Sequence, residues 1–472
     1  MKRVRSRLLV GTLCLVLVGA ACSSSPQPRD AQQKIKHLIF IMQENRSFDS
    51  YFGTFPGADG IPMSNGKFAV CVPDPKLGRC VKPFHDPALM NAGGPHAQEN
   101  ATADVAGGTM NGFIKTLRFG NAAFCQKFPF DPGCTNATTV QRIPDVMGYH
   151  DAREIPNYWT YAQQFVLQDR MFESAFSWSL PSHLFMVSGW SATCPVPNSA
   201  ASCTSDLHQP GHPSGQKRSP DTPYAWTDLT WLLHQHGVSW GYYVAAETDT
   251  SCRVDRISCA IDPNGIHTGT PEIWNPLPSF DTVRQDRQFG NIQSVDRFVA
   301  AAKAGTLPAV SWIAPNGPNS EHPPNSVATG QAYVTNLVNA VMAGPDWNSS
   351  AIFVSWDDWG GFYDHVVPPT VDANGYGLRV PGLLISPWAK QGYIDHQTLS
   401  FDAYLKLVED LFLNGQRLDP ATDGRPDPRP IVRENVPILG NLLNEFDFTG
   451  LPRPPMLLPT NPPPGPASTP GG

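Results

Sequence analysis

The 472 residues carry 34 Lys+Arg against 41 Asp+Glu, a formal charge of −7. An acidic chain without a Lys/Arg cluster in its body excludes nucleic acid as the partner. Its 40 glycines and 48 prolines exceed ordinary usage and exclude a helical bundle in favour of a loop-rich body.

Lys2, Arg3, Arg5 and Arg7 precede an apolar run from Leu8 to Val18, and Gly19-Ala20-Ala21 stand before Cys22. That run is too short to span a bilayer comfortably, so residues 1–21 read as a cleaved export signal. Leu17 to Ser23 also resembles a lipoprotein box, which would put a lipid anchor on Cys22, although Gly19 stands where an aliphatic residue is usual. A tether over 22–33 then leads into one domain, 34–450. Residues 451–472 are dominated by proline and glycine and read as an extended or disordered tail.

Within the domain, short apolar runs rich in β-branched and aromatic residues recur between loop signals. They are His37 to Met42, Ser239 to Val244, Ala309 to Ile313, Ala351 to Trp356 and Gly382 to Ile385. Runs without alternation suit strands buried on both faces. Helical patterns lie between them, at Tyr158 to Gln164, Thr227 to His236, Ser294 to Ala304, Thr329 to Ala343 and Phe401 to Asn414. Interleaved strands and helices predict an α/β domain around a mainly parallel sheet. Phe55 to Asp145 and Cys194 to Pro278 contain irregular insertions holding eight cysteines in local pairs, Cys71/Cys80, Cys125/Cys134, Cys194/Cys203 and Cys252/Cys259. Their even number and close pairing predict four small disulfide loops formed in an oxidising compartment, and none of the spacings suits a zinc site.

Ligands in open α/β sheets bind beyond the carboxyl ends of the strands. Glu44-Asn45 follow the first strand, and Asp357-Asp358 follow the run that ends at Trp356. Adjacent carboxylates repel unless a cation or hydrogen bonds offset them, and this oxygen set suits a divalent metal. The competing reading has Glu44 and Asp357 capping helices or closing turns. Ser179, two places before Pro181, enters a helix where its hydroxyl would lie near free N–H groups and act as a nucleophile; the competing reading is a helix cap. His96, His322 and His365 are candidates to bind phosphate oxygens or protonate a leaving alkoxide, and each has a structural reading beside it.

The run Ile35 to Thr54, with Gln43-Glu44-Asn45-Arg46-Ser47-Phe48-Asp49 at its centre, strongly resembles the opening motif of the bacterial phosphoesterase family of phospholipases C and acid phosphatases. The likeness continues, in order, through Met147-Gly148-Tyr149, Asp169-Arg170-Met171-Phe172, Glu321-His322-Pro323-Pro324, Trp359 to Val366 and Arg379-Val380-Pro381. The resemblance implies an alkaline-phosphatase-like three-layer α/β/α fold. It implies metal ligation by Glu44, Asn45, Asp357 and Asp358, with Ser179 as nucleophile and metal-bound alkoxide, and phosphate contacts from His96 and His322. The expected activity is metal-dependent hydrolysis of phosphate esters, phospholipids among them, through a phosphoserine. His322 is the expected proton donor.

Two positions depart from the family pattern, and a third bears on it. Trp274 stands where relatives often carry histidine before Asn-Pro, Asn111 replaces an aspartate, and His183 stands where arginine or histidine occurs. Phospholipase C-type diester cleavage and acid phosphatase activity both remain open. So do a catalytically silent surface binding protein and a sulfatase, the latter disfavoured because its sites want arginine at His183.

Overall fold

A computed structural model describes residues 28–119, 144–211, 224–245 and 269–468. Residues 1–21, read above as an export signal, Cys22 and the Cys125/Cys134 and Cys252/Cys259 pairs lie outside the described residues. The apolar runs form strands at His37–Gln43 (β1), Val166–Gln168 (β2), Trp240–Val244 (β3), Ile292–Ser294 (β4), Val310–Ile313 (β5), Ser350–Trp356 (β6), Gly382–Ile385 (β7) and Tyr393–Asp395 (β8). They build one eight-stranded sheet in the order β4-β3-β5-β1-β6-β7-β2-β8. All neighbours run parallel except β7, which is antiparallel to β6 and β2.

Helices cover both faces, which is why every residue of β3, β5, β6 and β7 is buried and none alternates. They are Pro156–Gln164 (α1), Ser179–Ser188 (α2), Leu229–Gln235 (α3), Val295–Ala304 (α4), Val327–Met342 (α5) and Phe401–Phe412 (α6). Helices α1, α4 and α5 pack together, and so do α2, α3 and α6. On one face Tyr404 of α6 rests on Phe40 and Phe353 at 5.0 and 5.1 Å between ring centroids. On the other, Phe298 of α4 meets Tyr243 at 5.2 Å. The chain is therefore a three-layer α/β/α sandwich with a mostly parallel sheet. Strands β2, β4 and β8 were not among the expected runs. Each is only three residues long, too short to give a pattern.

Two of the expected disulfides are formed, Cys71–Cys80 across a two-stranded hairpin and Cys194–Cys203. Residues 28–34 are helical, and Ala31 and Ile35 enter the core. Residues 451–468 have no regular secondary structure and lie along the domain, where Arg453 Nη1 donates to the Gln164 carbonyl at 2.6 Å and Ser468 N to Asp151 Oδ2 at 2.8 Å. No helix among the described residues is long and apolar enough to cross a membrane.

One buried arginine ties the loops below the site together. Arg379 donates to Asp364 Oδ1 at 2.9 Å, to Asp49 Oδ1 at 3.0 Å, and to the carbonyls of Asp59 and Asp169 at 2.7 and 2.8 Å. His365 closes this network through Asp49 Oδ2 at 2.8 Å. Burial alone would lower its pKa, but the Asp49 carboxylate outweighs that and raises it. Removing the guanidinium leaves two buried carboxylates without their cation, a loss of about 3–5 kcal/mol. Arg379→Ala should therefore lower unfolding free energy by about that amount in urea titrations.

Candidate active site

Register decides where the chemistry lies. Strands β1 and β6 are adjacent and parallel with Gln43 opposite Trp356, so Glu44 and Asp357 leave the sheet side by side. Backbone bonds fix both exits: Asp357 N donates to the Gln43 carbonyl at 2.9 Å, and Glu44 N to the Ser320 carbonyl at 2.9 Å. The chain then turns sharply at Asn45, which has a left-handed φ of 59°. That turn aims Asn45 N at Asp357 Oδ1 (2.8 Å) and Asn45 Nδ2 at Asp358 Oδ1 (2.6 Å). Gly360 makes the fit possible. Its φ is positive, its N–H donates to Asp358 Oδ1 at 2.7 Å, and a Cβ there would lie 2.4 Å from the Asn45 carbonyl oxygen.

Helix α2 closes the third side. Trp178 is its N-cap and gives no side-chain cap bond, so Ser179 is the first helical residue and not a cap. Its hydroxyl donates to Asp358 Oδ2 at 3.2 Å. One turn later on the same face, His183 Nε2 lies 3.0 Å from Glu44 Oε1, both side chains fully buried. Glu44, His183 and Asp357 each offer a ligand atom, all within 4.8 Å of one another. His183 was not among the expected metal ligands. The i,i+4 spacing from Ser179 was the signal that could have found it.

The electrostatics of this cluster are strained without a cation. Burial raises the Glu44 carboxyl well above its ordinary range, and Asp357 raises it further. Burial and then Asp358 raise Asp357, while burial lifts Asp358 to about 7. Burial holds His183 down at about 4. Below them Glu173, also absent from the expected set, is pushed up by burial and by Asp358. Four buried polar atoms in the cluster have no hydrogen-bond partner: Glu44 Oε2, Asn45 Oδ1, Asp357 Oδ2 and His183 Nδ1. Three oxygens without donors, in a pocket with one imidazole, are the donor chemistry of a divalent cation site. Asp358 differs, since both its oxygens are engaged by Asn45, Gly360 and Ser179.

The two expected phosphate-binding histidines also converge. His96 and His322 meet edge to face with centroids 5.7 Å apart. Each ring is oriented through Nδ1 by a carbonyl, of Gly94 at 2.8 Å and Pro323 at 2.7 Å, which leaves Nε2 of the neutral ring as the free atom. Burial lowers His96 and, with His96 beside it, takes His322 down to about 4. Glu321 anchors this loop at a φ of 69°, and its buried carboxylate accepts from Tyr51 and Tyr158 at 2.5 Å each and from Trp356 Nε1 at 3.0 Å. Trp274 is buried 6.1 Å from the His322 ring, with its carbonyl held by Tyr242 Oη, so it packs against the histidine. His365 belongs to the Arg379 network, and Asn111 is exposed and bonded to Thr109; neither joins the cluster.

The phosphoesterase family profile matches residues 35–413. The chain belongs to the phosphoesterase family. It is 27% identical over 88% of its length to a protein of Burkholderia pseudomallei named non-hemolytic phospholipase C, 59% of which the match covers. It is 26% identical over 88% of its length to phospholipase C A of Mycobacterium tuberculosis, covering 77% of that protein. Non-specific phospholipase C6 of Arabidopsis thaliana is 24% identical over 77% of the chain and 64% of its own. The chain thus spans about three fifths of the Burkholderia protein. Among solved structures, an alkaline phosphatase superfamily protein of Vibrio parahaemolyticus aligns with a TM-score of 0.33 and 10% identity, over 80% of this chain and 67% of that one.

The raised Glu44 carboxyl gives a signed prediction for the metal-free protein. The folded chain holds this proton through a pH window, beginning near the ordinary 4.5, in which the unfolded chain releases it. Stability in chelator should therefore fall as pH rises through that window, and Glu44→Gln should flatten the fall. Thermal melts between pH 4 and 8 check this. A divalent cation added at pH 7 should raise the Tm of the wild type and leave Glu44→Gln unmoved.

Proposed function

We propose that this protein is an exported, metal-dependent phosphoesterase that cleaves phospholipid headgroups as a phospholipase C, with Ser179 as nucleophile. The observation that carries the reading is the Ser179 hydroxyl, first in its helix and hydrogen-bonded to Asp358, beside three buried oxygens that have no donor. The relatives named phospholipase C support a lipid diester as substrate. The basic and apolar N-terminus and the disulfides support export.

Glu44, Asp357, Asn45 and His183 would hold the cation, with Asp358 beside them as the acceptor of the Ser179 hydroxyl. A bound divalent cation supplies charge stabilisation at the phosphoryl oxygens and favours the ionised serine. The chain's own residues do the rest. Ser179 Oγ forms a bond to phosphorus while the bond to the leaving alcohol breaks, and the hydroxyl proton passes to Asp358 Oδ2. The N–H groups of Ser179 and Leu180, in the first turn of α2, would face the growing charge. A phosphate bound beside His322 raises its proton affinity, and protonated Nε2 then gives its proton to the departing alcohol. His96, protonated as the phosphate binds, would donate from Nε2 to a phosphoryl oxygen. Water next attacks the phosphoserine and yields a proton to His322 Nε2, the Oγ–P bond breaks, and Ser179 takes its proton back from Asp358. The products from a phospholipid are diacylglycerol and the headgroup phosphate monoester.

Ser179→Ala should cut turnover of p-nitrophenylphosphorylcholine by at least about 1000-fold with an unchanged melting curve. Exhaustive chelation should abolish wild-type activity, and a divalent metal should restore it. Serine-dependent cleavage of p-nitrophenyl phosphate alone would make the enzyme an acid phosphatase. No turnover of either ester by folded, metal-loaded protein would leave a silent binding protein.

A further inference from the structure

Residues 87–90, Pro-Ala-Leu-Met, form a run of four consecutive apolar residues that are all exposed. Leu89 is 43% and Met90 62% exposed, and they are the only large apolar exposed residues adjacent in sequence among the described residues. Loop tips in water normally take polar or turn-forming side chains, and an exposed apolar run of this length requires a functional reason.

The tip is not loose. Asp86 below it accepts from Ala88 N at 2.9 Å and from Asn91 Nδ2 at 3.1 Å. His150 grips the same base through the Asp86 carbonyl (2.9 Å) and Asn91 Oδ1 (3.0 Å). The Leu89 carbonyl accepts from Val327 N at 2.9 Å, the first residue of α5. The backbone is therefore fixed while the four side chains point outward.

The tip is also tied through its base to the segments that carry the site. Asn91 Oδ1 accepts from Arg46, the residue after Asn45, at 2.9 Å. Two residues further, Gly93 packs on Pro323, and the loop goes on to His96. Six residues of chain reach at most about 21 Å, so Met90 is bound to lie within that distance of His96. From Pro87 to Gln98 there is no charged side chain, on a chain whose formal charge is −7. Such a tip meets no repulsion at a zwitterionic surface, whereas an anionic bilayer would repel the acidic body behind it.

We infer that residues 87–90 are a preformed wedge that enters the surface of a zwitterionic phospholipid bilayer and seats the mouth of the Ser179 site on its substrate. The inference rests on the proposed phosphoesterase reading for its substrate, but not for its binding step. Partitioning follows the apolar area that leaves water, and two side chains give reversible docking.

The test compares the full chain with its Leu89→Asp/Met90→Asp variant, both carrying Cys22→Ser so that no acyl chain contributes. Binding is read by cosedimentation with phosphatidylcholine vesicles. Site integrity is read by turnover of soluble p-nitrophenylphosphorylcholine. The variant should lose at least about tenfold in vesicle partitioning and in vesicle hydrolysis, while soluble turnover stays within twofold. Leu89→Ser/Met90→Ser, with the same direction and a smaller loss, replaces it if the aspartates disturb folding. Equal partitioning of variant and wild type overturns the wedge, as does a wild type that never binds vesicles. So does sedimentation showing that the wild type dimerises and the variant does not. If neither protein turns over the soluble ester but partitioning still differs, the wedge stands and the phosphoesterase reading falls.

Discussion

Everything at the site depends on one electrostatic constraint, set by the register of two parallel strands. Pairing Gln43 with Trp356 delivers Glu44 and Asp357 to the same buried point, with Asp358 next to them. Two like unit charges about 4 Å apart repel by about 4 kcal/mol at an effective dielectric near 20, before any desolvation is counted. A fold whose net stability is of the order of 10 kcal/mol does not keep such a group without a counterion or protons. The raised carboxyls describe the second solution, and the unpartnered oxygens point to the first. Charge supplied by a cation would invert the same logic, lowering each of these values.

The surrounding residues hold that cluster in place instead of neutralising it. Asn45 takes a left-handed turn that is unusual outside glycine, and the missing side chain of Gly360 makes room for its carbonyl. Glu321 does the corresponding work for His322. It spends a whole buried carboxylate on two tyrosines and a tryptophan, and its strained backbone then sets the histidine against His96. Arg379 is the contrasting case. Its cluster of Asp49, Asp364 and His365 could pass for a second metal centre by ligand type, but the guanidinium already occupies it as a fixed cation. The Glu44 cluster has no such arginine, and its unpartnered oxygens remain open to a cation.

Much of this was legible in the amino-acid order, for identifiable reasons. Strands β1, β5, β6 and β7 were readable because burial on both faces leaves uninterrupted apolar runs, and Glu44-Asn45 and Asp357-Asp358 were readable because they follow such runs directly. The short β2, β4 and β8 leave no pattern, since their position comes from pairing with neighbours distant in the chain. His183 was hidden for a different reason. Its proximity to Glu44 is created by a helix docking across 139 residues of sequence, and local spacing ties it to Ser179 only. Glu173 and Glu321 were equally silent, because a buried carboxylate looks like a surface one until its donors or neighbours are known.

The arrangement also bears on what kind of ester fits. His96 and His322 are both oriented through Nδ1 and both neutral when the site is empty of substrate, so neither offers a fixed positive charge. A monoester dianion would need that charge more than a diester monoanion does, since it brings one more negative oxygen into a cluster already dense in carboxylates. Trp274 works in the same direction. It fills the space beside His322 with an apolar ring, where a further cationic group would have helped a dianion. Under the proposed reading, imidazoles that must take up a proton with the substrate, beside a buried indole, suit the smaller charge of a diester. That reading would join the interior of the site to the uncharged, apolar tip proposed to meet the bilayer.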